Sequence, residues 1–129
     1  MTTDLWMLLA AAGLHWFIIL AAATPKILGN GIGWAAGNRD DSPDPPAWVA
    51  RTDRLSANML ENLPIFAVLV LVAHVSGNAD WLSALGAMVF LGGRVGHAIA
   101  YMAGIPFLRT GLWVVSIVGM GMIAAAIVV

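Results

Sequence analysis

The chain is laid out as four apolar runs, each close to the length of a bilayer crossing, and that layout leaves its backbone little choice. Inside hydrocarbon every N–H and C=O has to be satisfied by the protein itself, so runs of this kind fold as helices. The first extends from Leu5 to Ala23, nineteen residues broken only by His15. As a helix it covers about 28 Å, nearly a hydrocarbon core. Thr24-Pro25-Lys26 is expected to end it, and Gly29, Gly31, Gly33 and Gly37 then make a loop that leads into the polar run Asn38 to Ser42. No strand precedes these glycines and their spacing is wrong for a dinucleotide fingerprint.

Asp44 followed by Pro45 reads as a helix start, an N-cap acceptor ahead of a residue whose missing N–H costs nothing there. The second helix then carries amphipathic turns before its greasy part, Leu63 to Val75, which only Pro64 and His74 interrupt. The third run, Trp81 to Met102, contains Arg94 and His97; the fourth, Gly111 to Val129, contains no ionisable group. Gly104 and Pro106 punctuate the turn between them. The expectation is an all-α fold: one domain over residues 1–129, a transmembrane four-helix bundle with spans near 5–24, 46–76, 80–102 and 109–129.

Composition agrees. Hydrophobic residues make up 60% of the 129, charged residues only 10%, and mean hydropathy is +0.88; soluble domains carry about 25% charged residues. The net charge of −1, with no basic stripe, gives no reason to expect nucleic acid. The absence of cysteine excludes a disulfide framework, a zinc–thiolate site and a cysteine nucleophile, so any thiol chemistry has to use a thiol from the substrate. Ala21-Ala22-Ala23 resembles a signal-cleavage site, but the segment before it has Asp4 and no Lys or Arg, which favours a retained helix. Lys26, Arg39, Arg51, Arg54, Arg94 and Arg109 all fall toward one side of the bundle, with Asp4 and Asp80 at the other. The positive-inside rule therefore puts the first and third loops in the cytoplasm and both termini outside. Gly92 and Gly96 form a GxxxG spacing, with Gly119 and Gly121 on the fourth span; either an oligomer seam or packing within the chain fits.

Two polar stripes interrupt this pattern. Arg51, Arg54, Asn58 and Glu61 share one helical face, and Arg94, His97 and Tyr101 repeat its opening spacing on the third helix. Charge at that depth is costly and marks functional sites. The groups could satisfy one another, with Glu61 pairing to Arg54 or Arg94. Yet the three stripe arginines, with Arg109, face only Glu61 and at most Asp53, and surplus guanidinium groups suit an anionic ligand held bidentately. His15, His74 and His97 lie on three different helices without metal-ligand spacing, so no metal is expected, and only His97 shares the arginine stripe. Five of the six tryptophans (Trp6, Trp34, Trp48, Trp81, Trp113) flank the spans, as interfacial anchors do. No serine stands in a GxSxG setting.

The run Arg54-x-x-x-Asn58-x-x-Glu61-x-x-Pro64-x-Phe66 resembles the second-helix signature of the MAPEG family, the membrane-associated proteins of eicosanoid and glutathione metabolism. Gly93-Arg94-Val-Gly-His97-Ala-Ile-Ala-Tyr101, with Arg109 beyond a proline turn, resembles its third-helix signature, nearest to microsomal glutathione transferase. The resemblance covers nearly the whole chain. It implies a homotrimer with glutathione bound between protomers near the cytoplasmic side. Arg54, Asn58, Glu61, Arg94 and Tyr101, with Arg51 one turn ahead of them, would hold the tripeptide, and Arg109 would stabilise its thiolate; His97 is placed beside the ligand by its position on the arginine stripe. It further implies a glutathione-dependent transferase or peroxidase acting on an apolar electrophile or lipid hydroperoxide, in a bacterial inner membrane or the endoplasmic reticulum, among membrane lipids. Asn62 and His97 stand where the leukotriene-forming branch has tyrosines, which argues against that branch. A non-catalytic scaffold holding a lipid or partner protein in the same groove is the alternative, and an anion path along the arginines a more distant one.

Overall fold

The computed structural model describes residues 1–129 and contains five helices and no strand: α1 (Thr3–Asn30), α2 (Ile32–Ala36), α3 (Ala47–Val75), α4 (Trp81–Ala103) and α5 (Pro106–Val128). The four long ones are each long and apolar enough to cross a membrane, so the chain is an all-α, multi-pass integral membrane protein. The short α2 lies in the first loop.

Two boundaries differ from the sequence reading. Helix α1 does not stop at Pro25 but runs on to Asn30, where Gly31 turns the chain at φ 89° and its N–H bonds to the Ile27 carbonyl. Lys26 lies on this extension, and its ammonium meets the Asp53 carboxylate at 2.6 Å, tying the extra turn to α3. Helix α3 begins after Pro46, so Asp44 caps nothing. Asp44 and Pro45 each precede a proline, which keeps both extended and lets α-helix begin only beyond the pair.

Helix α4 starts as a capping box: the Asp80 carboxylate accepts from the Leu82 and Ser83 N–H groups, and the Ser83 hydroxyl accepts from the Asp80 N–H. The same hydroxyl lies 2.7 Å from the buried Asp4 carboxylate, to which it donates, clasping the start of α1 to the start of α4. Asn78 donates to the Ile127 carbonyl at this end. The opposite end gathers Lys26, Arg39, Arg51, Arg54 and Arg109, as the charge asymmetry foretold.

Between the ends, α4 and α5 approach on glycine. A Cβ on Gly119 would sit 2.5 Å from the Phe90 nitrogen, one on Gly86 2.6 Å from the Gly119 oxygen, and one on Gly93 2.9 Å from the Ser116 nitrogen. Gly96 packs on Leu112, whereas Gly92 and Gly121 meet nothing within 4 Å. The GxxxG pair is therefore split, and Gly86, Gly93, Gly96 and Gly119 form a seam within the chain. The core beside it holds Met59, Phe66, Val70, Ala87, Phe90 and Ile123, with the Phe66 and Phe90 rings stacked at 3.8 Å. This core fixes α3 against α4 and so sets the heights of the two polar stripes.

Candidate functional site

The stripes meet where α3 faces α4, but only in part. Arg94 is 1% exposed, one of the largest buried side chains. Its Nη2 donates to the Asn58 side-chain oxygen at 2.8 Å, and its Nε points at the Met59 sulfur at 3.3 Å. Nη1 has no partner. The small Gly93 backbone lets α4 sit close to α5, which turns the next residue, Arg94, into the bundle.

His97 follows one turn later and is buried. Its Nδ1 lies 2.8 Å from the Arg109 carbonyl. A carbonyl can only accept, so Nδ1 carries the proton, and in the neutral ring Nε2 presents a lone pair. That Nε2 is buried without a partner. Tyr101 meets His97 edge-on at 5.4 Å, and the Arg109 guanidinium lies over the Tyr101 ring at 4.6 Å. Attraction between a cation and the ring face holds Arg109 while leaving its N–H groups free to donate in the ring plane's surroundings.

Asn58, His97, Tyr101, Arg109, Thr110 and Trp113 line a cleft of about 260 Å³ between α3, α4 and α5, at the end where the cations gather. Four of these came from the stripes and from Arg109. The sequence points to no role for Thr110 and reads Trp113 as an interfacial anchor, although Trp113 lies four residues beyond Arg109 and so shares its helix face.

The remaining residues of the set lie elsewhere. Arg51 donates Nε and Nη2 to the Met102 carbonyl at 3.2 and 3.1 Å, and so caps the end of α4. Arg54 and Glu61 are exposed on the outside of the subunit. Glu61 therefore pairs with neither Arg54 nor Arg94, and Asp53 is taken by Lys26, the one ion pair in the chain. None of Arg51, Arg54, Arg94 and Arg109 has a carboxylate partner, a larger surplus than the sequence suggested. Of the other histidines, His15 reaches Ser56 at 3.3 Å and His74 is exposed, both away from the cleft. Asn62 is buried and donates back to the Asn58 carbonyl.

The sequence profile of the MAPEG family matches residues 3–129. No curated protein and no solved structure matches the chain.

Proposed function

The chain belongs to the MAPEG family, and from that premise we propose that it is a glutathione-dependent membrane transferase or peroxidase whose site is the cleft between α3, α4 and α5. The observation that carries this reading is a polar cleft lined by Asn58, His97, Tyr101 and Arg109, in a subunit where none of Arg51, Arg54, Arg94 and Arg109 has a carboxylate partner. Glutathione brings two carboxylates, one ammonium and a thiol. Planar guanidinium forks suit the carboxylates, and a free carboxylate such as Glu61 suits the ammonium. Arg54 and Glu61 face outward while Asn58 bridges to the cleft, so the site is completed by a neighbouring copy, in keeping with a homotrimer.

Arg109 is the residue for the thiol. A free thiol has a pKa of about 8.5, so only a few per cent is thiolate at neutral pH. Lowering that pKa by about two units takes about 2.7 kcal/mol of preferential stabilisation, within the range of one adjacent guanidinium in a partly dry cleft. The thiol proton leaves to water. The thiolate then attacks an electrophilic carbon; a C–S bond forms, and the carbon–halogen bond of an aryl halide breaks with loss of halide. With a hydroperoxide the thiolate takes the terminal oxygen and releases an alcohol; a second glutathione then gives the disulfide and water. The bilayer concentrates apolar second substrates beside the cleft. We further propose that the cation-rich end faces the cytoplasm, which places both termini on the other side.

The test is glutathione titration of detergent-purified protein, followed by thiolate absorbance and by conjugation of a reactive aryl halide. Binding at millimolar glutathione with turnover supports the proposal. Absence of binding ends it, and binding without turnover favours the non-catalytic scaffold. In Arg109→Ala, conjugation is expected to fall with binding retained; unchanged conjugation removes Arg109 from the mechanism.

A further inference from the structure

A second site lies on the opposite flank, between α1, α3 and the first loop, and shares no residue with the cleft. It consists of two adjoining cavities of about 370 and 180 Å³. Lys26, Trp34, Arg39 and Asp53 line both. The upper cavity adds Asp44 and the prolines of the loop, and the lower one runs down α1 along Ile19, Ala22, Ala23 and Ile27. Ile19 is 44% exposed, so the lower cavity reaches the outer surface of an apolar span.

The loop over this site is organised. Trp34 Nε1 donates to the Asp41 carbonyl at 2.9 Å. The Arg39 guanidinium covers the Trp34 ring at 5.1 Å and donates Nε and Nη2 to the Ala35 carbonyl. Arg39 is also the one non-glycine residue with positive φ, at 60°. That conformation is unfavourable for an arginine and persists only where its surroundings fix it, a pattern associated with ligand clamps. The charges lining the site balance. Lys26 and Asp53 neutralise each other, leaving Arg39 and Asp44 with opposite signs.

We infer that this pocket binds a zwitterionic phospholipid of the ethanolamine type, with its phosphate at Arg39, its ammonium at Asp44 and an acyl chain in the groove along Ile19, Ala22 and Ala23. One cation and one anion match such a headgroup, whereas a singly anionic headgroup offers Asp44 no partner. The apolar foot at span depth matches a hydrocarbon tail and not a soluble solute. The inference is independent of the reading of the cleft.

The experiment is native mass spectrometry of the full chain released from nanodiscs containing phosphatidylethanolamine and phosphatidylglycerol in equal amounts. Retained phosphatidylethanolamine in preference to phosphatidylglycerol is expected. Retention should fall about tenfold in Arg39→Ala and in Asp44→Asn, the loss expected for one charge-assisted contact. Ala23→Leu, which narrows the lower cavity, should lower it as well, and all three variants should keep the helical circular dichroism of the parent. Equal retention of both lipids, or variants that hold phosphatidylethanolamine as the parent does, overturns the inference. So does equal competition by soluble phosphoethanolamine, which has no tail. Glutathione binding measured on the same samples separates the two proposals: its absence from the parent protein sinks the reading of the cleft alone. Its loss in Arg39→Ala would assign this pocket to glutathione and overturn the lipid site.

Discussion

Gly119→Ala should destabilise the protein, and Gly121→Ala, the same chemical change two residues along the same helix, should not. At Gly119 the added methyl would lie 2.5 Å from the Phe90 nitrogen and 2.6 Å from the Gly86 oxygen, about 0.9 Å inside the 3.4 Å at which ordinary contact begins. Both atoms are backbone of α4, so no side chain can swing aside. Helix α5 has to move off α4 and open the seam at Gly86 and Gly93. Overpacking of this kind costs about 1–3 kcal/mol. Against it stands the gain from replacing a helical glycine by alanine, about 0.5–1 kcal/mol. At Gly121 nothing lies within 4 Å, so only the gain operates. The helix-propensity contribution is common to both variants, and their difference in unfolding free energy is therefore the overpacking cost alone, about 1–3 kcal/mol. Reversible unfolding of each variant in mixed micelles, followed by tryptophan fluorescence, measures it. A Gly119→Ala protein as stable as Gly121→Ala would refute the seam.

Arg94→Met replaces a buried cation by a shorter, flexible apolar chain, so the fold should persist while glutathione binding weakens about tenfold or more with the loss of the anchor on Asn58; unchanged affinity by calorimetry would remove the pair from the site. Ser83→Ala leaves the buried Asp4 carboxylate without the hydroxyl that bonds it and should cost about 1–3 kcal/mol of stability. A double-mutant cycle with Asp4→Ala should then show the two losses to be far from additive. Lys26→Ala should cost less than about 1 kcal/mol, because the paired side chains are 27% and 44% exposed. A salt titration of its unfolding midpoint should show even that loss shrinking as ionic strength rises.

Much of the fold was legible because apolar length is a strong, one-dimensional signal. Four runs predict four long helices, and the charge asymmetry predicts which ends lie together. The boundaries were harder, since they depend on contacts distant in sequence. Pro25 reads locally as a stop, yet α1 continues past it to a turn held by Lys26 and Asp53. Of the candidate cleft, Asn58, His97, Tyr101 and Arg109, with Arg94 behind Asn58, can be picked out from helical spacing and from family resemblance. Spacing assigns residues to a helix face but not to what that face meets, which is why it groups Arg51 with Arg54 and Asn58 without showing that Arg51 bonds the end of α4. The packing of Arg39 on Trp34 in the first loop was invisible for a different reason. A Gly-rich loop has no periodicity, and its order comes from one ring, one guanidinium and one left-handed residue.

The position of Glu61 gives the strongest reason to regard a single subunit as part of a larger unit. It lies on α3 just ahead of the greasy run that begins at Leu63, exposed and without any cation of its own chain. Arg54, two turns earlier on the same face, is equally unpartnered. A carboxylate facing lipid at that depth would cost several kcal/mol. Folding within the chain offers no relief, because Arg94 is already committed to Asn58 and Arg51 to the end of α4. Under the proposed homotrimer, the groups that satisfy Glu61 and Arg54 would come from outside the subunit. A neighbouring copy and a bound zwitterion would supply both signs of charge on that face, whereas lipid tails supply neither. Polar atoms left unmatched within the subunit, the Arg94 Nη1 and His97 Nε2, lie on the helix behind the same face. On the proposed function, assembly and ligand binding would thus relieve one shared electrostatic cost, which would couple the two events.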